Sequence, residues 1–179
     1  GAVMGSKNLK AFVVKKKKAR KPIDNDLFKT LTLDVKDRMA ANETVAGTTQ
    51  DGSGGCVEAH ASEGFLPSYN WEKGVMPGWE KTAGYTLTKE YLVNRETCFG
   101  CAVRCKRVVD IPGKAEPKYG GPEYETMSTF GSYCGNTDLK EICHANQLCN
   151  MYGIDTISCG ATIAWAIDAF QQGMLTKDD

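Results

Sequence analysis

The sequence predicts a mainly α-helical, multihelical fold, and two helical segments near the end of the chain carry this prediction. The first segment begins at Asp138, a residue type that caps helices well, and stops before Gly153. The second begins at Thr156 or Ser158 and ends before Gly173. Because the second segment is apolar on nearly every side, we expect it to be buried in the core.

The first part of the chain is predicted to form a short strand and one amphipathic helix. A polar turn leads into the strand at residues 11–14, and the basic run KKKKARK follows at 15–21. We interpret this run as a solvated linker between domains, with contact to phosphate as the alternative. A helix is predicted over 24–41, capped by Asp24 or Asn25. Its apolar residues recur every four positions, at Leu27, Leu31, Val35 and Met39.

The middle of the chain is predicted to contain loops and one short helix. Residues 47–55 (GTTQDGSGG) are expected to form a loop, and they contain no glycine motif that binds nucleotides. Prolines, glycines and aromatic residues at 64–86 predict irregular but packed backbone. A helix capped by Thr88 is predicted at 89–96, and another loop at 110–122.

The composition is that of a globular protein and argues against several classes. The 179 residues include 22 basic and 22 acidic side chains, so the formal net charge is zero, which argues against an electrostatic nucleic-acid binder. The longest apolar stretch, at 157–170, is too short to span a membrane and contains Asp168. From the glycine-rich start and the abrupt end, we expect an internal piece of a longer polypeptide.

The cysteines indicate metal ligation rather than disulfide bonds. Cys98, Cys101 and Cys105 form a CxxCxxxC motif, and disulfides across such short spacings have unfavourable geometry. Because there is no signal peptide, we expect a reducing cytoplasm in which these thiolates bind metal. We interpret them as three ligands of a [4Fe–4S] cluster, which takes four cysteines. A structural zinc site is the alternative, although such sites usually contain paired CxxC motifs.

The residues around these cysteines also suit a cluster. Gly100 allows the backbone to fold around the cluster. Positive charge beside an anionic cluster raises its reduction potential, and three neighbouring side chains supply such charge: Arg104, Lys106 and Arg107. The remaining cysteines are interpreted as small buried apolar residues: Cys56, Cys134, Cys143, Cys149 and Cys159. Their spacing selects none as the fourth ligand. His60 is expected in a loop and His144 on a helix, neither at metal-ligand spacing.

Two further segments are candidate sites. Glu123 follows Gly120-Gly121-Pro122 and is expected on irregular backbone set by these residues rather than on a helix face. A carboxyl group beside a redox centre can act as a general acid or base. At 150–156 (NMYGIDT), a helix end, a glycine turn and a helix start are positioned to hold a heterocyclic or phosphorylated ligand. The simpler alternatives are an exposed loop glutamate and an ordinary connection between helices.

The order of these motifs resembles that of the aldehyde ferredoxin oxidoreductase family, whose members carry tungsten or molybdenum in a bis-pterin cofactor. The matching segments are, in order, GAVMGSKNLKAFVV, LPSYNW, CFGCAVRC, GPEYET and NMYGIDTIS. The resemblance implies that residues 1–21 are a short β segment from the end of an N-terminal pterin-binding domain plus a basic linker. Residues 22–179 are then the helical domain that carries the iron–sulfur cysteines, truncated at its C-terminal side.

The resemblance also implies roles for individual residues. Cys98, Cys101 and Cys105 match the family's three clustered [4Fe–4S] ligands, and the fourth belongs to a domain beyond residue 179. Glu123 matches a glutamate near the metal, with Glu125 as the alternative. The family's pterin-binding DxxGLD segment matches a set of four residues: Asn150, Gly153, Ile154 and Asp155.

This chain departs from the family pattern at two places. Asn150 replaces an aspartate and Ile154 a leucine in the pterin-binding segment, so residue 150 retains hydrogen bonding but loses its charge. Some members bind an additional iron between subunits through an ExxH motif. This chain has His144 and Gln147 at that spacing, so the extra iron is not expected.

As a whole, the resemblance implies an enzyme that oxidises aldehydes to carboxylic acids and passes electrons through the [4Fe–4S] cluster to ferredoxin or an electron-transfer subunit. A ring-reducing branch of the same family is an alternative, and the parent enzyme is expected to be a homodimer. This chain alone is expected to be inactive. A zinc-stapled helical binding module and a small ferredoxin-like electron carrier are alternatives from other classes, but neither accounts for GPEYET and GIDTIS.

Overall fold

The computed structural model describes residues 2–15 and 23–178. The chain divides into two compact units, Gly1–Asn42 and Glu43–Asp179. The first unit contains α1 (Ala2–Ser6) and α2 (Asn25–Ala40). The helix predicted over 24–41 is therefore confirmed. Asp24 caps it, because its carboxylate accepts hydrogen bonds from the backbone N–H groups of Asp26 and Leu27.

The strand predicted at 11–14 is not formed. Residues 9–15 have no regular secondary structure, and Val13 and Val14 are exposed. A strand needs a hydrogen-bonded neighbour, and the two strands among the described residues pair with each other elsewhere in the chain. The predicted basic linker lies at 15–21, and of these residues only Lys15 is among those described.

The second unit combines helices with one two-stranded antiparallel sheet, so the mainly α fold class is confirmed. Its elements in chain order are α3 (Glu43–Asp51), α4 (Gly55–Ser62), α5 (Gly84–Glu90), β1 (Leu92–Glu96), β2 (Lys106–Val109), α6 (Tyr124–Phe130), α7 (Leu139–Tyr152) and α8 (Thr156–Gln171). Short 3₁₀ turns lie at Gly52–Gly54, Trp79–Thr82, Pro117–Tyr119 and Ser132–Cys134.

Two predictions for the middle of the chain are wrong. The predicted loop at 47–55 is the end of α3, a 3₁₀ turn and the start of α4, because burial of Gly52 and Gly54 overrides the low helix propensity of this segment. Of the predicted helix at 89–96, residues 89 and 90 are the end of α5, whereas Leu92–Glu96 form β1, which pairs with β2 across the cysteine loop. His60 consequently lies in α4 rather than in a loop.

The segment at 64–86 has the irregular, packed backbone predicted for it, up to Gly84, where α5 begins. Tyr69, Asn70 and Trp71 all have positive φ angles, of 51°, 51° and 71°. Such backbone is costly for residues other than glycine. Here it is held by the carbonyls of the 3₁₀ turn Ser132–Cys134, because Tyr69 and Asn70 donate to Ser132 and Tyr133 at 2.9 Å each.

The core of the second unit forms around α6, which packs against α4, α7 and α8. Apolar side chains from most elements of the unit meet there, including Val57, Leu66, Leu87, Val109, Met127 and Ile142. The burial of these side chains is the main favourable term that holds the elements together. It also fixes the segment just before α6, which contains Glu123.

The two helices at the end of the chain are confirmed, with one difference at a cap. Asp138 caps α7, and Gly153 ends it with a φ of 69°, a left-handed conformation that glycine adopts without strain. The N-cap of α8 is Asp155 rather than Thr156 or Ser158, because its carboxylate accepts the N–H of Ser158 at 2.8 Å.

The burial predicted for α8 is wrong. Only Gly160, Ala164 and Ala169 of this helix are buried, whereas Trp165 is 55% exposed and Phe170 48%. The small residues allow α8 to approach α6 closely, so the large apolar side chains lie on its other sides. The self-association expected from such a surface stays a prediction, which size-exclusion chromatography tests. No helix among the described residues is both long and apolar enough to cross a membrane.

The close approach of α8 to α6 makes Gly160 sensitive to substitution. A Cβ atom at position 160 would lie 2.6 Å from the Cβ of Thr129. We expect Gly160→Ala to lower the free energy of unfolding by about 1–3 kcal/mol, because the two helices must separate. Gly55→Ala is the matched control, since a Cβ on that helical glycine meets nothing within 4 Å. Equal urea-unfolding curves for the two variants would contradict this packing.

Candidate functional site

The CxxCxxxC motif lies in the loop that connects β1 and β2. Cys98 and Cys101 are exposed, and Cys105 is half-buried. The Cys101 N–H donates to the Cys98 carbonyl at 3.0 Å, and Gly100 between them has a φ of 74° with open space around it. Among the described residues, no three His, Cys, Asp or Glu side chains are grouped closely enough to hold a metal ion. The three cysteines are therefore in one loop, with their sulfurs not converged.

Arg107 anchors the cysteine loop to the end of α3. Arg107 is only 3% exposed. On one side it donates to the carbonyls of Arg104 and Cys105, at 2.6 and 3.1 Å. On the other it donates to those of Thr49 and Gln50, at 3.1 and 2.6 Å. A cation is favourable there, because the last carbonyls of a helix lack partners within the helix and carry partial negative charge.

Further hydrogen bonds join β1 and the cysteine loop to the end of α3 and to each other. Arg95 of β1 donates to the carbonyls of Thr49 and Gln50 at 3.1 Å each. Thr49 in turn donates from its hydroxyl to the Val103 carbonyl at 2.7 Å. Arg104, which has a positive φ of 57°, donates to the Arg95 carbonyl at 2.6 Å. The backbone of the cysteine loop is thus held firmly at its base, while Cys98 and Cys101 near its tip are exposed.

The positive charge of Arg107 interacts with residues of both the cysteine loop and the Glu123 segment. Burial, followed by repulsion from Arg95, lowers the pKa of Arg107, while Glu123, Asp51 and Cys105 act in the opposite direction. An arginine stays protonated despite such a shift. The Oδ1 atom of Asp51 is buried without a hydrogen-bond partner in the described part of the chain. Glu123 and Cys105 are thus both within electrostatic range of this buried guanidinium.

Glu123 lies on extended backbone at the N-cap position of α6, with φ and ψ of −89° and 172°. The prediction that it is not on a helix face is therefore confirmed. It is half-buried, and the hydroxyl of Ser53 donates to its Oε2 atom. Glu125, the alternative, lies in the first turn of α6 and is exposed. Of the two carboxylates, only Glu123 has a partner that holds it from another element in the described structure.

The candidate pterin segment is the exposed connection between α7 and α8. Asn150, Gly153, Ile154 and Asp155 are all exposed, and Gly153 has open space around it. The Ile154 N–H donates to the Cys149 carbonyl at 2.8 Å, which closes the end of α7. The hydrogen bonds from Ser158 lower the pKa of Asp155, so its carboxylate stays ionised at the start of α8.

Two contacts bring this connection close to the Glu123 segment. Asn150 donates from its side-chain amide to the carbonyl of Tyr119, at 3.0 Å, just before Gly120-Gly121-Pro122-Glu123. The hydroxyls of Thr126 and Thr156 lie 2.8 Å apart. The structure therefore places the α7–α8 connection beside the Glu123 segment. The Gly52–Gly54 turn links that segment to the base of the cysteine loop, because Ser53 bonds Glu123 and Gly52 packs against the carbonyl of Cys105.

The other cysteines and both histidines lie in helices or in a 3₁₀ turn, outside the cysteine loop. Cys143 and Cys149 are buried as predicted, Cys134 and Cys159 are half-buried, and Cys56 is exposed, so the prediction of burial is wrong for Cys56. Its position on the outward side of α4 explains the difference. His60 Nδ1 lies 2.6 Å from the Tyr124 hydroxyl, and His144 Nδ1 lies 2.7 Å from the Lys114 carbonyl. Gln147 accepts the Glu116 N–H at 2.6 Å.

Thiol reactivity should separate the cysteine loop from the buried cysteines. Burial raises the pKa of Cys143 to about 12 and that of Cys134 to about 11. Burial, followed by the Cys159 thiol, raises the pKa of Cys149 to about 11. We expect iodoacetamide near neutral pH to modify Cys98 and Cys101 ~100-fold faster than these three, because only thiolates react. Peptide mass spectrometry measures the order, and early modification of Cys143 would contradict it.

Sequence reasoning missed Ser53 and the way in which Arg107 acts. Ser53 stands in a run of glycines and threonines that resembles a loop, and its partner Glu123 is 70 residues away. Arg107 is identified from the sequence only as one of several basic residues near the cysteines. Its burial and its bonds to Thr49 and Gln50 depend on tertiary contacts that local patterns do not encode.

Comparison with known proteins adds independent observations. A family model described as "Aldehyde ferredoxin oxidoreductase, domains 2 & 3" matches residues 30–179. The whole chain is 35% identical to proteins named tungsten-containing aldehyde ferredoxin oxidoreductase from Thermococcus kodakarensis and Pyrococcus furiosus, and it spans 29% of their length. It is 28% identical to a Pyrococcus furiosus protein named "Aliphatic sulfonate oxidoreductase, WOR-like subunit", of which it also spans 29%.

Proposed function

Because the chain belongs to the aldehyde ferredoxin oxidoreductase family, we propose that it forms the cluster-binding part of a larger tungsten–pterin enzyme, called the holoenzyme below. In this proposal the holoenzyme oxidises aldehydes to carboxylic acids. The overall reaction is RCHO + H₂O → RCOO⁻ + 3H⁺ + 2e⁻. The observation that carries the proposal is that the Glu123 segment contacts the α7–α8 connection and is linked by the Gly52–Gly54 turn to the base of the cysteine loop.

The donor set of the cysteine loop fits an iron–sulfur cluster. Three thiols come from one loop, two of them are exposed, and Gly100 has room to change conformation as the sulfurs converge. We assign Cys98, Cys101 and Cys105 as ligands, with a fourth from outside residues 1–179. Arg107 would keep a positive charge beside Cys105, which favours the reduced, more negative cluster. The lack of a second CxxC motif is what ranks a structural zinc site lower.

The α7–α8 connection fits an external ligand. Its backbone is exposed at Gly153, and Asn150 and Asp155 offer an amide and a carboxylate on either side of the turn. We assign these residues and Ile154 to one side of the pterin. The tungsten–pterin cofactor supplies the two-electron redox chemistry when bound. Tungsten is preferred over molybdenum because of the names of the relatives.

Glu123 is assigned the proton chemistry. Its carboxylate is half-buried and is held by Ser53, so it has a defined position from which to accept a proton from a water molecule or to orient that water. Oxidation of a hydrated carbonyl releases three protons for each pair of electrons, so a fixed proton acceptor is needed. Glu125 lacks such a position in the described structure, which favours Glu123 of the two.

We further propose that the electrons leave singly through the cluster to ferredoxin or an electron-transfer subunit, and that the holoenzyme is a homodimer in the cytoplasm. The cytoplasm is proposed because a reducing compartment keeps cysteines available as metal ligands. The match to a sulfonate oxidoreductase subunit favours a second candidate substrate class, organic sulfonates, and the ring-reducing branch is a third.

An anaerobic assay of the holoenzyme distinguishes these substrates. We expect aldehyde to reduce an added one-electron acceptor at a rate far above that with an aliphatic sulfonate. An aromatic thioester, which a ring-reducing enzyme would reduce, should cause no oxidation of an added reduced one-electron donor. Carboxylate should form at one molecule per two electrons. Acceptor reduction by the sulfonate alone would reject the aldehyde proposal, and the 179-residue chain without its partner segments should be inactive.

A further inference from the structure

The turn between α3 and α4, Gly52-Ser53-Gly54, is packed tightly on both sides. A Cβ on Gly52, whose φ is 68°, would lie 2.7 Å from the Cys105 carbonyl. A Cβ on Gly54 would lie 2.8 Å from the Sδ atom of Met127 in α6. Both glycines are buried. The turn therefore fits between the cysteine loop and α6, and only glycine at these two positions permits so close an approach.

This packing gives the side chain of Ser53 a fixed place next to α6. The Ser53 hydroxyl donates its hydrogen to Oε2 of Glu123 and accepts the N–H of Tyr124 at 2.9 Å. A hydroxyl has one hydrogen to donate and lone pairs to accept with, so both bonds form together and fix its orientation. The N–H of Tyr124 is at the start of α6 and has no partner within the helix.

The two bonds hold the carboxylate of Glu123 against the backbone that follows it. The carboxylate is an acceptor, and a hydrogen bond to it from a neutral hydroxyl is short and strong. The bond occupies Oε2, which leaves Oε1 as the oxygen for a water or substrate. Glu123 itself makes no hydrogen bond that caps α6 with its side chain. Without Ser53, its side chain would gain rotational freedom.

We propose that Ser53 is a positioning residue that fixes the carboxylate of Glu123 in one orientation for proton transfer. This inference rests on the proposed function, in which Glu123 accepts or orients protons. In this role Ser53 acts through Glu123 rather than on the substrate, and the buried glycines on either side keep it in place.

Kinetics of the holoenzyme test the inference with Ser53→Ala. We expect kcat to fall about 10- to 100-fold with KM changed less than about threefold, because a misplaced group slows the chemical step rather than binding. The matched control is Ser62→Ala, since Ser62 donates only to the Ala59 carbonyl at the exposed end of α4. Ser53→Cys keeps the size but donates weakly, and it should show the same loss if Ser53→Ala does not fold.

A double-mutant cycle separates positioning from a merely structural role. In the Glu123→Gln background, Ser53→Ala should cause no further loss of kcat, because the two residues act as one unit. A full additional 10- to 100-fold loss would overturn the inference. If Glu123→Gln keeps wild-type activity, the role of Glu123 in the proposed function fails instead.

A second readout needs no cofactor. In the 179-residue chain, the side-chain carboxyl ¹³C resonance of Glu123 is assigned by its absence from Glu123→Gln. We expect this resonance to move in Ser53→Ala and to stay in place in Ser62→Ala, because only the first variant removes a donor to the carboxylate. An unchanged resonance in folded Ser53→Ala would overturn the inference, whatever the activity of the holoenzyme.

Discussion

Replacing Arg107 by methionine is expected to lower the free energy of unfolding of the chain by about 3 kcal/mol. The substitution keeps a long side chain but removes all donors. The carbonyls of Thr49, Gln50, Arg104 and Cys105 then lose hydrogen bonds in a place that water reaches poorly. We also expect faster hydrogen exchange in the cysteine loop, since it loses one of its anchors to α3. Urea unfolding and amide exchange measure the two effects.

The control for this prediction is an arginine that is not buried. Arg38 of α2 pairs with Asp34 at the surface, at 2.9 Å, and such pairs contribute less than about 1 kcal/mol. Arg38→Met should therefore change the stability little. Equal losses in the two variants, or normal stability of Arg107→Met, would show that Arg107 does not anchor the loop.

Replacing Glu123 by glutamine is expected to lower kcat of the holoenzyme by about 10²–10⁴-fold, the usual contribution of a general acid or base. Glutamine has nearly the same size and can still accept the hydrogen bond of Ser53. The fold and cluster content should therefore be retained, which isolates the loss of the proton acceptor. Steady-state aldehyde oxidation with an artificial acceptor measures kcat and KM.

Glu125→Gln provides the matched comparison, because Glu125 is two residues away and exposed. We expect it to keep kcat within about twofold of the wild-type value. The opposite result, a large loss in Glu125→Gln and a small one in Glu123→Gln, would transfer the assignment to Glu125.

The elements predicted correctly from the sequence are those whose signals are local. Asp24 and Asp138 start their helices as predicted, and Gly153 ends α7, because capping depends on a few neighbouring backbone groups. Glu123 likewise occupies non-helical backbone after two glycines and a proline. These local signals also located the three segments of the candidate site in the chain.

The wrong predictions concern segments whose structure depends on distant partners. β1 exists because residues 92–96 pair with 106–109, and the intervening loop contains the cysteines. The turn at Gly52–Gly54 packs against Cys105 and Met127, neither of which is near it in sequence. For α8, the amino-acid pattern indicates an apolar helix but not which neighbours cover it, so its exposure could not be predicted.

The proposed function depends most on a [4Fe–4S] cluster held by Cys98, Cys101 and Cys105. Anaerobic analysis of the holoenzyme for iron, acid-labile sulfide and zinc tests it most directly, with Cys101→Ser and Cys134→Ser in parallel. We predict about four iron and four sulfide per chain with absorption near ~400 nm, lost in Cys101→Ser and kept in Cys134→Ser. Stoichiometric zinc in a colourless protein, or a cluster retained in Cys101→Ser, would show that these cysteines do not hold the cluster.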